Sequence, residues 1–328
     1  MIGKTRSSHP KLLLGIALLF LAAGCAKDDS SEPEPTPTVP HGERFGIYEL
    51  DLSSQDVTMI ATSAQKYSYL QLSRGGDRFV FSQKMDGSTD QHEEICVIRV
   101  DGSGFQRLTT NSIWDLYPVW GPGDSLIAFL SWRETGLDLY VMNSDGGNVR
   151  ELYDSGSHDA DPSWGSNRIA YTQNSQVWTI KDDGTDPVQL TDPPRAGEWG
   201  NANLPFGDYD PRWSPDASKV VFDRLEDDES PHGNYNFFVI NADGSGETRL
   251  TNTGYSQGLA SWSHSGDRIV FIVAAIGLEG KYDIYVMNAD GTDNHNITPD
   301  YFPANFLCHA AMFSLDDSKV FFSGEWWE

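Results

Sequence analysis

The 328 residues are 38% hydrophobic and 12% aromatic, enough for a full-sized buried core and inconsistent with disorder throughout, while 31 Gly and 17 Pro point to many turns. With 48 acidic against 23 basic residues, the net charge of −25 opposes the phosphate neutralisation on which nucleic-acid binding depends. Cationic partners or metal ions suit this charge better.

Residues 1–24 read as an export signal: Lys4, Arg6 and Lys11 precede the apolar run LLLGIALLFLAAG, which is too short to span a membrane comfortably. The end of that run, LAAGC, resembles the lipobox of bacterial lipoproteins, with Ala22 where the pattern favours Leu. The resemblance implies cleavage and acylation at Cys25, and Ala26 after it implies the outer membrane rather than the inner. Residues 25–43 then read as lipidated cysteine plus flexible tether, rich in Pro, Ser, Thr and acid, leaving 44–328 for the folded domain. Cys96, inside ICVIRV, and Cys308, before a different strand, read as structural thiols rather than as a disulfide, and no Cys/His spacing suggests zinc.

From residue 45 on, two phrases alternate. The first is strand, Asp-Gly turn, strand, as in ICVIRVDGSGFQRLT, DLYVMNSDGGNVREL, QVWTIKDDGTDPVQLT, FFVINADGSGETRLT and DIYVMNADGTDNHNIT. The second joins a bulky anchor to an apolar strand, as in PVWGPGDSLIAFLS and PRWSPDASKVVFD. The anchors are Leu72, Trp120, Trp164, Trp213, Trp262 and Phe313, spaced by 48, 44, 49, 49 and 51 residues, the period of a four-stranded propeller blade. FGIYELDLSSQDVTMI at 45–60 lacks an anchor hairpin before it, and Phe313 lacks an Asp-Gly hairpin after it. Joined, these orphans complete one blade. The expectation is an all-β, six-bladed propeller closed by pairing of the N- and C-terminal strands, and a monomer, since stacking in a ring buries the blade faces.

PRWSPDASKVVF and IYVMNADGT resemble the repeats of the TolB-like six-bladed propellers, over about residues 44–325. The resemblance implies a periplasmic module that binds protein or peptide segments at the mouth of its propeller. TolB itself carries a further N-terminal α/β domain where this chain has only the tether. Similar propellers accompany serine peptidase domains or act as pectic oligosaccharide lyases, which keeps a glycan-binding or lyase-like alternative.

Three motifs that suggest catalysis or metal binding read otherwise. GYSQG, Gly254–Gly258, is followed by a β-strand and not by the helix a nucleophile elbow needs. The Asp-Gly turns have Val239 and Leu250 where a calcium loop needs its first and last ligands. His92, His158, His232 and His309 fall in loops of four blades without a shared motif. The chain is therefore read as non-enzymatic.

The long loops all belong to one face and carry Trp114, Trp199, Phe206, Tyr209, Tyr255, Phe302 and Phe306, aromatics suited to a protein segment or a sugar, or else to covering the ends of the core. Five residues before the anchors stand Tyr67, Asp115, Asp159, Asp208, Gln257 and Cys308; three before them stand Tyr69, Tyr117, Asp161, Asp210, Leu259 and Ala310. If equivalent positions face the axis, Asp115, Asp159, Asp161, Asp208 and Asp210 gather at the channel mouth with Tyr117, Tyr209, Gln257 and His309. Such a cluster would take Ca²⁺, at Asp115, Asp159 and Asp208, or a partner's basic side chain, unless each Asp caps its own loop by accepting backbone N–H bonds, which the Asp-x-x-Pro spacing permits.

Overall fold

The computed structural model describes residues 37–85, 92–133, 136–202, 204–227, 233–274 and 282–327; Cys25 and His232 lie outside them. The strands assemble into six antiparallel four-stranded sheets. Blade one is Ser68–Leu72, Arg78–Lys84, Glu93–Arg99 and Gln106–Arg107, and blades two to five repeat this order from the first strands Asp115–Trp120, Asp159–Trp164, Gly207–Trp213 and Ser256–Trp262. These first strands touch in sequence, blade six included, and ring the central channel.

Blade six is built from both ends of the domain, Phe306–Phe313 and Lys319–Trp326 followed by Phe45–Asp51 and Val57–Ser63. Its joint runs in unbroken register from Phe45 opposite Glu325 to Asp51 opposite Lys319. Lys319 reaches Glu49 at 2.6 Å, and Tyr48 stacks on Phe322 within the apolar core of the blade. Val39, in the segment read as tether, is buried in that core, and His41 stacks on Trp326. Ordered packing therefore begins before residue 44.

Local chemistry explains each repeated phrase. In the Asp-Gly turns the carboxylate accepts a backbone N–H two residues on, as Asp183 does from Thr185 at 2.9 Å, and the following glycine takes positive φ. That glycine also admits the neighbouring blade: a Cβ on Gly184 would lie 2.3 Å from the Leu152 carbonyl oxygen. The threonine ending Arg-Leu-Thr accepts a backbone N–H from within the third strand, in Thr109 from Ile95 and Thr251 from Phe237. Each aromatic anchor enters the core of the preceding blade; Trp164, for one, packs on Ala128 and Leu130. Burial of such faces is the main stabilising term for the ring.

Cys96 and Cys308 are both buried and outside any disulfide. Ser256, of the Gly-x-Ser-x-Gly match, lies in a strand and donates to the Gly233 carbonyl at 2.6 Å. Among the described residues no helix is long and apolar enough to cross a membrane.

Candidate functional site

Every first strand carries a register shift against the second, between Leu116 and Val119 in blade two and at the matching place in the other five. The residue three before each anchor sits in this bulge with positive φ: Tyr69, Tyr117, Asp161, Asp210, Leu259 and Ala310. A bulge inserts one residue and breaks the alternation of faces, so positions three and five before the anchor do not point the same way.

That break corrects the expected mouth cluster. Asp115, Asp159 and Asp208 sit before the bulge, buried and opposite their own second strands. Asp115 accepts from Ser131 at 2.5 Å and from Asn111 at 2.7 Å. Asp208 is clasped by Arg224 at 2.5 and 2.9 Å, and Arg224 also reaches Glu247. Asp159 accepts from Ser155 at 2.6 Å, and burial pushes its carboxyl up to about 8. Gln257 is buried and donates to Thr253 at 2.5 Å. Asp115, Asp159 and Asp208, expected to share a calcium ion, each face partners in their own blade, and among the described residues no group of three His, Cys, Asp or Glu is placed to hold a metal ion.

The bulge residues build the channel instead. Tyr69 and Tyr117 stack with ring centroids 3.5 Å apart. Asp161 and Asp210 stand beside them, the Asp210 N–H directed at the Asp161 carboxylate at 3.4 Å and Arg212 lying 3.6 Å from Asp210. Asp223, on the second strand of blade four, joins them. Burial first, then mutual repulsion, raises the carboxyls of Asp161 and Asp223, and burial raises that of Asp210, against the pull of Arg212.

On the long-loop side the channel opens into a cavity of about 370 Å³ lined by Tyr69, Trp114, Leu259, His309 and Ala310 among others. His309 is held 3.3 Å from Glu325, and burial lowers its pKa. At the short-turn side all six anchors surround a smaller space of about 230 Å³. There the Arg74 guanidinium reaches from blade one across the axis to the Trp164 and Gly165 carbonyls of blade three.

Of the loop aromatics, Trp199 is 71% exposed and Trp114 38%, whereas Phe206 is 1% exposed and Tyr209 8%. Phe206 and Tyr209 close a small core with Leu225, Tyr209 donating to the Pro205 carbonyl at 2.6 Å; Phe302 and Phe306 are core residues too, and Tyr255 packs half-buried on blade five. These four buried rings are corrections, since loops of this length need their own apolar cover. Trp132, at the end of the second strand of blade two, is 41% exposed between Trp114 at 6.3 Å and His158 at 5.0 Å. With His92 beside Trp114, four rings cross blades one to three. A groove of about 860 Å³ follows, bordered by His158, Asp138, Asp154 and Trp199.

No family model matches the chain. It is 26% identical to a "Protein TolB homolog" of Chlorobium luteolum over 179 residues, 53% of this chain and 36% of that one. The chain matches only 58%, 36% and 26% of the lengths of three curated relatives. Among solved structures, a putative TolB from Agrobacterium tumefaciens superposes with TM-score 0.66 at 16% identity, covering 88% of this chain and all of the other. An oligogalacturonate lyase in complex with manganese superposes with TM-score 0.55 at 13% identity, covering 86% and 83%.

Proposed function

We propose that this TolB-like six-bladed propeller is a non-enzymatic envelope module that binds an extended protein segment over its long-loop face, with the channel cavity as the central pocket. The observation that carries this reading is exposed Trp114, which lines that cavity, with exposed Trp132 against it. Solvated tryptophans contribute little to the ring, and aromatic side chains beside a pocket are what protein recognition uses. The likeness to TolB homologues supports a protein partner of the envelope. We place the domain in the periplasm, held by a lipid on Cys25 to the outer membrane, as a monomer.

A glycan reading draws on one different feature, the 71% exposed Trp199 beside Asp138 and Asp154 in the wide groove, a surface on which a sugar ring would stack.

The test is a pull-down from envelope extract with residues 37–328, run in parallel with a glycan array. The expected result is a retained protein whose binding falls about tenfold or more in Trp114→Ala/Trp132→Ala, the loss of one aromatic hot spot. Glycan binding without any retained protein would replace the first reading by the second.

A further inference from the structure

We propose that the channel is a receptor for one organic cation, an alkylammonium or guanidinium group seated between Asp161, Asp210 and Asp223. This rests on the reading of the domain as a binding module and names what its central pocket accepts.

Asp161 and Asp210 are the two charged members of the six-residue bulge ring; the others are Tyr69, Tyr117, Leu259 and Ala310. Asp223 enters from behind them. It stands opposite Tyr209, and the corresponding second-strand positions hold Ser82, Leu130, Thr172, Ile272 and Ser323, none of them charged. Propeller architecture therefore does not require an acid there. Gly258, on blade five, is its neighbour: a Cβ at that position would lie in ordinary contact, 3.9 Å from the Asp223 Oδ2.

Charge balance supplies the second argument. Three carboxylates share Arg212, 3.6 Å from Asp210. Asp223 is only 4% exposed, and its Oδ1 has no hydrogen-bond partner. Burial and mutual repulsion favour protons on these carboxyls when the channel is empty, and a donor carrying positive charge would pair the unpartnered oxygen and take over that neutralisation. The stacked pair Tyr69 and Tyr117 provides aromatic faces beside the acids; burial first, and then the nearby Asp161 and Asp210, raise both phenol pKa values. Aromatic faces with carboxylates suit an organic cation, which brings N–H donors and an apolar stem. The 370 Å³ cavity reaches Tyr69, Leu259 and Ala310 of the same ring from the long-loop face, the side from which a cation with an apolar stem would enter.

A partner's side chain and a free amine share this chemistry, and the test separates them. The domain from residue 37 onward, which holds every strand of the ring, is melted with N-acetyl-lysine N-methylamide, with n-butylammonium and with the neutral norleucine analogue. Both cations are expected to raise Tm, by about 5 °C when a hundredfold above Kd, and the neutral analogue is expected not to. A larger shift with the lysine amide assigns the pocket to a protein side chain; equal shifts assign it to a free amine. Asp223→Asn should melt higher than wild type without ligand and lose at least tenfold in cation affinity. Leu259→Lys supplies the cation from within the ring, and should also melt higher and abolish the probe-induced shift. Absence of a shift in wild type, or the same shift in all three proteins, overturns the inference. If a protein is still captured then, the binding reading stands without this pocket; a shift with no captured protein leaves the pocket and removes that reading.

Discussion

The two ends of the central channel are built from the same six strands and differ in almost everything else. At the short-turn end, anchors equivalent by sequence pack each into the preceding blade, and Arg74 bridges blade one to blade three across the axis. At the long-loop end, equivalent positions hold tyrosine, aspartate, leucine and alanine, and exposed tryptophans stand at the rim. Repetition marks the end that holds the ring together; divergence from the repeat marks the end free to vary, where a ligand would be read.

The comparison breaks most severely if the ring is opened. Deleting residues 42–60 removes the third strand of blade six and half of the fourth, leaving Lys319–Trp326 with an unpaired edge. The expected outcome is loss of the cooperative thermal transition by calorimetry, with no folded remainder, because blades one and five each lose a stacking face.

Single residues at the two ends should behave differently. Trp164→Ala, at the short-turn end, should cost about 3–5 kcal/mol in urea unfolding, the usual loss for a buried large aromatic. Trp114→Ala, at the other end, should change stability by about 0.5 kcal/mol or less. Equal losses would mean that Trp114 is structural and would remove the distinction between the ends.

The third test uses pH. Burial lifts the Asp159 carboxyl to about 8 in the folded chain, against about 3.9 unfolded. The folded state therefore keeps a proton that the unfolded state releases. The stabilising contribution is complete below about pH 4 and is lost as pH rises toward 8, at about 1 kcal/mol per pH unit. Asp138, raised to about 6 by burial and by Asp154, acts in the same direction. Asp51 and Asp316, lowered to about 2 by their serine hydrogen bonds, lose their contributions only on the acid side. Wild type should thus melt highest near pH 4–5 and lose stability toward pH 8, and Asp159→Asn should flatten that decline. A slope unchanged in the variant would show that Asp159 is ionised across the range.

The architecture was legible because the sequence states it repeatedly: period-two apolar strands, Asp-Gly turns and anchors at near-constant spacing define six blades, and the two orphan hairpins define the closure. The site was less so, for reasons that lie in particular residues. The bulge that turns Asp161 and Asp210 to the axis, and withdraws Asp115, Asp159 and Asp208 into their own blades, is a backbone event with no residue type of its own, carried here by Tyr, Asp, Leu and Ala alike. Asp223 had a signal, an acid ending KVVFD where other blades place Ser, Thr, Leu or Ile, but only strand register shows that column. Trp132 reads as one more apolar residue of a strand until its neighbours are known. Val39 stands alone among Pro and Thr, too little pattern to mark it as core.

The joint in blade six also has a mechanical side. Phe45, where the strand from the N-terminal side begins, lies opposite Glu325, close to the C-terminal end, so both chain ends leave the joint at the same edge. Tension applied between them loads the ladder one rung at a time from Phe45 inward, as in opening a zipper, and never stretches all seven paired positions together. The first resistance is local: Val39 in the core of the blade, His41 against the Trp326 ring, the 2.6 Å ion pair of Arg44 with Glu325, and the Trp326 N–H donating to the Arg44 carbonyl at 2.7 Å. A ring expected to open by heat only as a whole should thus peel under a small steady pull, with those contacts setting the force at which peeling begins.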